Sequence, residues 1–172
     1  QRRPGHRCLA GQRWQWDGVD FEILHPAPAD YEVRHKPNAM SCVLRISAGP
    51  PQRRVHALLV GDIEAAQEKT LVNSAALRAD FLLVPHHGSK TSSTAGFLDA
   101  VQPRLALAQT GYRNRFGHPT PPVLERYRER GIQVLYSPGC GALGWHSARP
   151  AEWTCQRELS QRYWQHRLPA AP

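Results

Sequence analysis

Three short apolar runs constrain the fold of this chain more than any other feature: residues 81–84 (Phe-Leu-Leu-Val), 105–109 (Leu-Ala-Leu-Ala-Gln) and 132–136 (Ile-Gln-Val-Leu-Tyr). Each is too short for a helix and largely lacks the strict alternation of a strand with one wet face. Runs of this kind are strands covered on both faces, as in parallel sheets. Helical patterns separate them: 63–77 with Asp62 as a candidate N-cap, 94–101, and 123–130 closed by Gly131. Strand and helix in alternation argue for an α/β sandwich whose sheets are covered by helices.

Upstream the pattern changes. Residues 14–25 carry two alternating stretches around Asp17-Gly18, a pairing suited to a tight hairpin because Gly accepts positive φ. Further strands are expected at 41–47 and 54–60, with a turn at Gly49-Pro50-Pro51. Downstream, 139–146 reads as a final hairpin and 157–167 as a basic, aromatic end. The expected organisation is a domain over 1–150 and a C-terminal tail over 151–172, without internal repeats.

An apolar content of 41% over 172 residues supports one core-bearing domain and excludes a disordered or fibrous chain. No apolar run approaches the 18 or so residues that span a bilayer, so the segment is expected to be soluble. The chain opens at Gln1 without the apolar stretch of a signal peptide, which suggests a processed chain or a cut piece. Its net charge of +8 favours polyanions such as nucleic acid or anionic headgroups, although ordinary solubility charge gives the same balance. In the tail, Arg157, Arg162, Tyr163, Trp164 and Arg167 combine phosphate-binding cations with rings that stack on bases; an amphipathic helix packed on the domain accounts for them equally. The four cysteines form no CxxC pair, which argues against a structural zinc knuckle. Disulfides are the better expectation, with Cys140 and Cys155 closing a loop of about 15 residues; buried free thiols are the alternative.

Three polar groups follow predicted strands or the loops they feed: Gly61-Asp62, His86-His87-Gly88-Ser89, and Asn114-Arg115-Phe116-Gly117-His118. Carboxylate oxygen and neutral imidazole both donate lone pairs to a hard or borderline divalent cation, so converging loops of this composition suit a metal. Taken singly, Asp62 serves as well as a helix cap, the His pair as a hydrogen-bonded loop, Ser89 as a cap for the helix near Thr94, and His118 as a turn residue before Pro119. Together they point to one site.

The series Leu-Leu-Val-Gly-Asp62, Leu-Leu-Val-Pro-His86-His87-Gly-Ser-Lys-Thr-Ser and Gly-Tyr-Arg-Asn114-Arg-Phe-Gly-His118-Pro resembles the C-terminal metallo-β-lactamase-like domain of the ComEC family of DNA-uptake competence proteins, over about residues 14–144. The resemblance implies the C-terminal part of an αββα sandwich carried outside the membrane, in the periplasmic or extracytoplasmic space, by a multispanning inner-membrane channel protein. There it would degrade the DNA strand that is not transported. It makes Asp62 a ligand bridging two metal ions, Zn or Mn, and His86 or His87 a further ligand. His118 becomes a phosphate-holding or proton-donating residue, with Ser89 and Asn114 as donors to phosphate oxygens and Lys90, Arg113 and Arg115 as positive charge. No small-molecule cofactor is implied. The superfamily motif HxHxDH is absent among the nine histidines, and Asn38-Ala-Met-Ser41 stands where some relatives place another His. The piece alone is therefore expected to bind metal poorly and to be inactive. The implied activity of the intact domain is metal-dependent hydrolysis of DNA. Two other readings are a DNA-guiding module that does not cut, and a hydrolase of another phosphodiester or ester on the same fold.

Overall fold

The structure is a computed structural model that describes residues 7–160 and residue 163. One mixed sheet of seven strands runs in chain order: β1 (Arg13–Trp16), β2 (Val19–His25), β3 (Val43–Ala48), β4 (Val55–Leu59), β5 (Phe81–Leu83), β6 (Leu105–Ala108) and β7 (Gln133–Tyr136). The first four strands form an antiparallel meander, and β4 to β7 are parallel. The switch follows from the connections. Asp17 and Gly18, both at positive φ, close the β1–β2 hairpin, whereas each parallel step is crossed by a helix: α1 (Ala65–Ser74), α2 (Ala95–Val101) and α3 (Pro121–Glu129).

All three helices cover one face. The aligned strand residues Leu58, Leu82 and Ala106 are fully buried there against Leu71 of α1, Phe97, Leu98 and Val101 of α2, and Val123 and Tyr127 of α3. The other face is just as apolar. Trp14, Phe21, Ile46, Ala57, Phe81 and Leu105 are successive cross-strand partners and form one row over six strands. A small hairpin, β8 (Leu143–Trp145) and β9 (Trp153–Cys155), lays Leu143, Trp145 and Trp153 on part of this face. Beside it an open groove of about 570 Å³ runs over Val19, Ile46, Val55 and Leu59. Trp14 and Trp16, 46% and 70% exposed, continue the apolar surface to the sheet edge.

The helices thus lie on one face, where the sequence suggested general helical cover. The helix expected at 63–77 is shorter, and its N-cap is Glu64, whose N–H faces Gln67 Oε1 at 3.4 Å; Asp62 stands before the helix, its own N–H given to Ser41 Oγ. The run 132–136 forms an edge strand with Gln133 exposed, half-buried because no strand lies beyond it. In the final hairpin, the partner of β8 is Trp153–Cys155, so the pairing of the preceding part extends beyond residue 150. Within the tail, Arg157 lies in a helical turn, α5 (Gln156–Leu159), after the turn α4 (Ser137–Cys140) that precedes β8, and Tyr163 is 95% exposed. Arg162, Trp164 and Arg167 fall outside the described residues.

Disulfides join Cys8 to Cys42 and Cys140 to Cys155, and no free cysteine remains. The second ties the end of α4 to the end of β9. Among the described residues no helix is long and apolar enough to cross a membrane.

Candidate active site

The site forms where the loops after β4, β5 and β6 meet, at the carboxyl ends of parallel strands, the usual position for ligand sites on open α/β sheets. Hydrogen bonding joins the first two loops, since the His86 N–H donates to the Gly61 carbonyl at 3.0 Å. Gly61 has φ +56°, and a Cβ there would lie 2.9 Å from Ser41 Cβ, so both its backbone and its neighbour require glycine. The second loop is held more tightly. His86 and His87 have φ of +47° and +57°, a left-handed conformation that non-glycine residues adopt at a cost of order 1–3 kcal/mol each. Gly88 follows at φ +85°, and a Cβ on it would sit 2.5 Å from Pro119 Cβ.

Several bonds sustain this conformation. The buried Ser92 hydroxyl donates to the Pro85 and Ser89 carbonyls at 2.8 and 3.0 Å. The fully buried Glu68 carboxylate of α1 accepts the N–H groups of Ser93 and Thr94, at 2.5 and 2.8 Å, at the start of α2. Burial pushes the Glu68 pKa up, while the bonds from Thr94 and Ser93 and the nearby Arg126 work in the opposite sense. Ser93 Oγ also meets Tyr127 Oη of α3 at 3.1 Å. The strained turn is thereby anchored to all three helices.

Two carboxylate–imidazole pairs result. His87 Nε2 lies 3.4 Å from Asp62 Oδ1, both side chains being half exposed, and His86 Nδ1 lies 3.4 Å from Glu64 Oε1 deeper in the site. The His87 Nδ1–H donates to the Gln109 carbonyl at 2.6 Å. A carbonyl only accepts, so Nδ1 carries a proton, and the other ring nitrogen, Nε2, is the one that faces Asp62. At 3.4 Å the carboxylate oxygen and Nε2 are spaced to share a proton or to bind one cation between them. His86 Nε2 lies 3.3 Å from Asn38 Nδ2, while its Nδ1 is buried without a hydrogen-bond partner among the described residues. The His118 ring is 6.1 Å from that of His86. Burial and, next, repulsion between a protonated His118 and the neighbouring His86 and His87 lower the His118 pKa, a direction opposed to the proton-donor role expected from the sequence.

The remaining expected residues are placed as follows. Ser89 is buried, its hydroxyl 3.1 Å from that of Thr91. Asn114 accepts the His118 N–H at 2.9 Å and donates to the His118 carbonyl at 2.7 Å, so its amide holds the loop where donation to phosphate was expected. Arg113 lies over the Tyr112 ring and Arg115 over the Phe116 ring; Lys90 is exposed. Asp62 and His87 suit a divalent cation by donor type and by the 3.4 Å between Oδ1 and Nε2. Among the described residues no group of three His, Cys, Asp or Glu gathers to hold an ion.

Competence protein ComA of Neisseria gonorrhoeae is 42% identical to this chain over 164 residues, which make up 94% of the chain and 23% of that protein. Recombination protein 2 of Haemophilus influenzae is 36% identical over 69% of the chain and 14% of its own length. ComE operon protein 3 of Bacillus subtilis is 32% identical over 73% of the chain and 15% of its own length. The chain belongs to the ComEC family. It spans less than a quarter of the length of these relatives. No protein-family model matches the sequence.

Four groups of this ComEC-family site escaped sequence reasoning. Glu64 and Asn38 lie beside the motif residues in space, and Asn38 had a signal, since it begins the stretch 38–41 that the family resemblance singles out. Glu68 reads as an ordinary helix-surface residue until α2 closes over it. The Gln109 carbonyl carries no side-chain signature and was invisible in principle.

Proposed function

We propose that this domain contributes to the active site of a metal-dependent phosphodiesterase that hydrolyses DNA during uptake, on the extracytoplasmic side of an inner-membrane channel protein of which it is part. The 3.4 Å approach of Asp62 Oδ1 to His87 Nε2, with the opposite ring nitrogen held by the Gln109 carbonyl, carries this reading. A carboxylate and a neutral imidazole in that relation suit Zn or Mn. When bound, the metal would supply Lewis acidity and lower the pKa of a water molecule. The other donors of the shell are assigned to parts of the longer protein that this chain does not span.

The chain's own residues have separate tasks. Asp62 and His87 offer the donors, the Gln109 carbonyl holds a ring proton on His87 Nδ1 so that Nε2 is the atom left for the metal, and Glu64 lies beside His86. His118, held by Asn114 and favoured in its neutral form, offers a ring N–H to a phosphate oxygen. Arg113, Arg115 and Lys90 draw the polyanion to the opening.

Removing outer partners of a metal ligand typically costs 10–100-fold, so in the longer protein Asp62→Ala should lower Mn²⁺- or Zn²⁺-dependent cleavage of single-stranded or duplex DNA about 100-fold or more. Undiminished cleavage would remove Asp62 from the chemistry. The +8 charge also supports a second reading, a module that guides DNA without cutting. Salt-sensitive binding that persists in chelator, with no cleavage under any metal, would favour it.

A further inference from the structure

The aromatic ring of Phe116 has no task in the hydrolytic reading above. It is 66% exposed on the loop that carries His118, its centroid 5.7 Å from the His118 ring at an interplanar angle of 26°. The Arg115 guanidinium lies 4.9 Å from its centroid. Exposure of a single ring is ordinary; what distinguishes Phe116 is that it lies against the His118 ring with a guanidinium on it. The loop presents it in a fixed position, because Asn114 bonds to the backbone of His118 on both sides. Its surroundings are cationic, with Arg113 and Arg115 beside it in the chain and Arg113 itself resting on the Tyr112 ring.

We infer that Phe116, with Arg115, is a stacking subsite for an unpaired nucleobase next to the phosphate held at His118. The substrate engaged there is consequently a single-stranded nucleic acid and not a small phosphodiester. This rests on the nucleic-acid part of the proposed function but not on hydrolysis. Ring stacking on a base is worth more than an exposed guanidinium–phenyl contact, so an arriving base displaces Arg115 from the ring. The freed guanidinium, on a flexible stem, turns to the neighbouring phosphate and makes charge-assisted hydrogen bonds there. One ring thus stores the cation while the site is empty and exchanges it for a base when a strand enters. Duplex DNA keeps its bases in the stack and would meet only the cations.

The test is equilibrium binding to the chain, read by fluorescence anisotropy without added metal, of a short oligodeoxythymidylate and of an abasic strand of equal length and charge. Wild type should prefer the base-bearing strand. Phe116→Ala should weaken oligodeoxythymidylate binding about tenfold, leave the abasic strand unaffected, and leave the salt dependence of binding unchanged, since no phosphate contact is lost. Phe116→Trp should retain or raise affinity. Arg115→Ala should lower both affinities and flatten the salt dependence. Equal affinity of wild type for the two strands, an equal loss for both in Phe116→Ala, or no measurable binding of either strand would each overturn the inference. Base-selective binding by the chain, with no cleavage by the longer protein under any metal, would refute the hydrolytic reading and leave the stacking subsite standing.

Discussion

Leu58 and Leu59 are neighbours in β4, yet they face environments that differ as much as any two in the molecule. Leu58 points into the layer sealed by the helices and is fully buried. Leu59 points to the opposite face, beside the groove that the β8–β9 hairpin leaves open. Residue type is the same on both sides, so apolarity along a strand reports which surfaces are built for cover. It does not report whether this chain provides the cover. The helix side draws its partners from the crossovers that make the sheet parallel, whereas the other side receives one disulfide-tied hairpin across a seven-stranded width.

Alanine substitutions measure that difference directly. In urea denaturation Leu58→Ala should cost about 4 kcal/mol, since it leaves a cavity in a packed layer, and Leu59→Ala about 1–2 kcal/mol, since water already reaches its site. Equal losses would mean that the groove is as well packed as the helical core. Next in size is the hairpin. Cys140→Ser with Cys155→Ser should cost roughly 3 kcal/mol for a loop of this length, and the Trp145 and Trp153 fluorescence should shift to the red as the hairpin lifts from Phe81. Unchanged emission would show that apolar contact alone holds it.

The smallest effect belongs to His56 at the rim of the helical face. Burial and, next, the Arg45 guanidinium lower its pKa below 6.5, with Asp80 acting in the opposite direction. Its Nδ1 is 2.8 Å from Ser47 Oγ. A His whose folded pKa is depressed binds more protons when unfolded, so its contribution to stability is full at pH values above 6.5 and declines as the pH falls below that value. NMR titration of the ring should place its midpoint below 6.5, and the decline should disappear in His56→Gln. A midpoint at or above 6.5 would contradict the assignment.

Much of the architecture was legible because strand burial and turn chemistry leave local marks. The run at 81–84 became the interior strand β5, the Asp17-Gly18 pair closed the first hairpin, and the helix expected at 94–101 is α2, capped by Thr94, whose hydroxyl accepts the Phe97 N–H, in place of Ser89. The edge position of β7 was not legible, because five half-apolar residues read alike whether one neighbour or two lie beside them. The strand 153–155 was hidden for a related reason, since three residues carry no period and its pairing depends on β8. In the site, Asp62 and His87 were legible by type and position after strands. The choice between His86 and His87 was not, because it depends on two consecutive left-handed backbone angles that turn one ring toward Asp62 and the other toward Glu64. The two bonds by which Asn114 holds the His118 backbone were also not legible, because they depend on how their own loop closes.

Pro119 fills the space a side chain at Gly88 would need, and the Gly88 carbonyl also accepts the Thr120 N–H at 2.9 Å. The loops bearing His87 and His118 therefore behave as a single rigid casting. Neither can be exchanged, lengthened or transplanted into a related scaffold without its counterpart, and a rearrangement that widened the opening would have to bend the chain somewhere outside both of them.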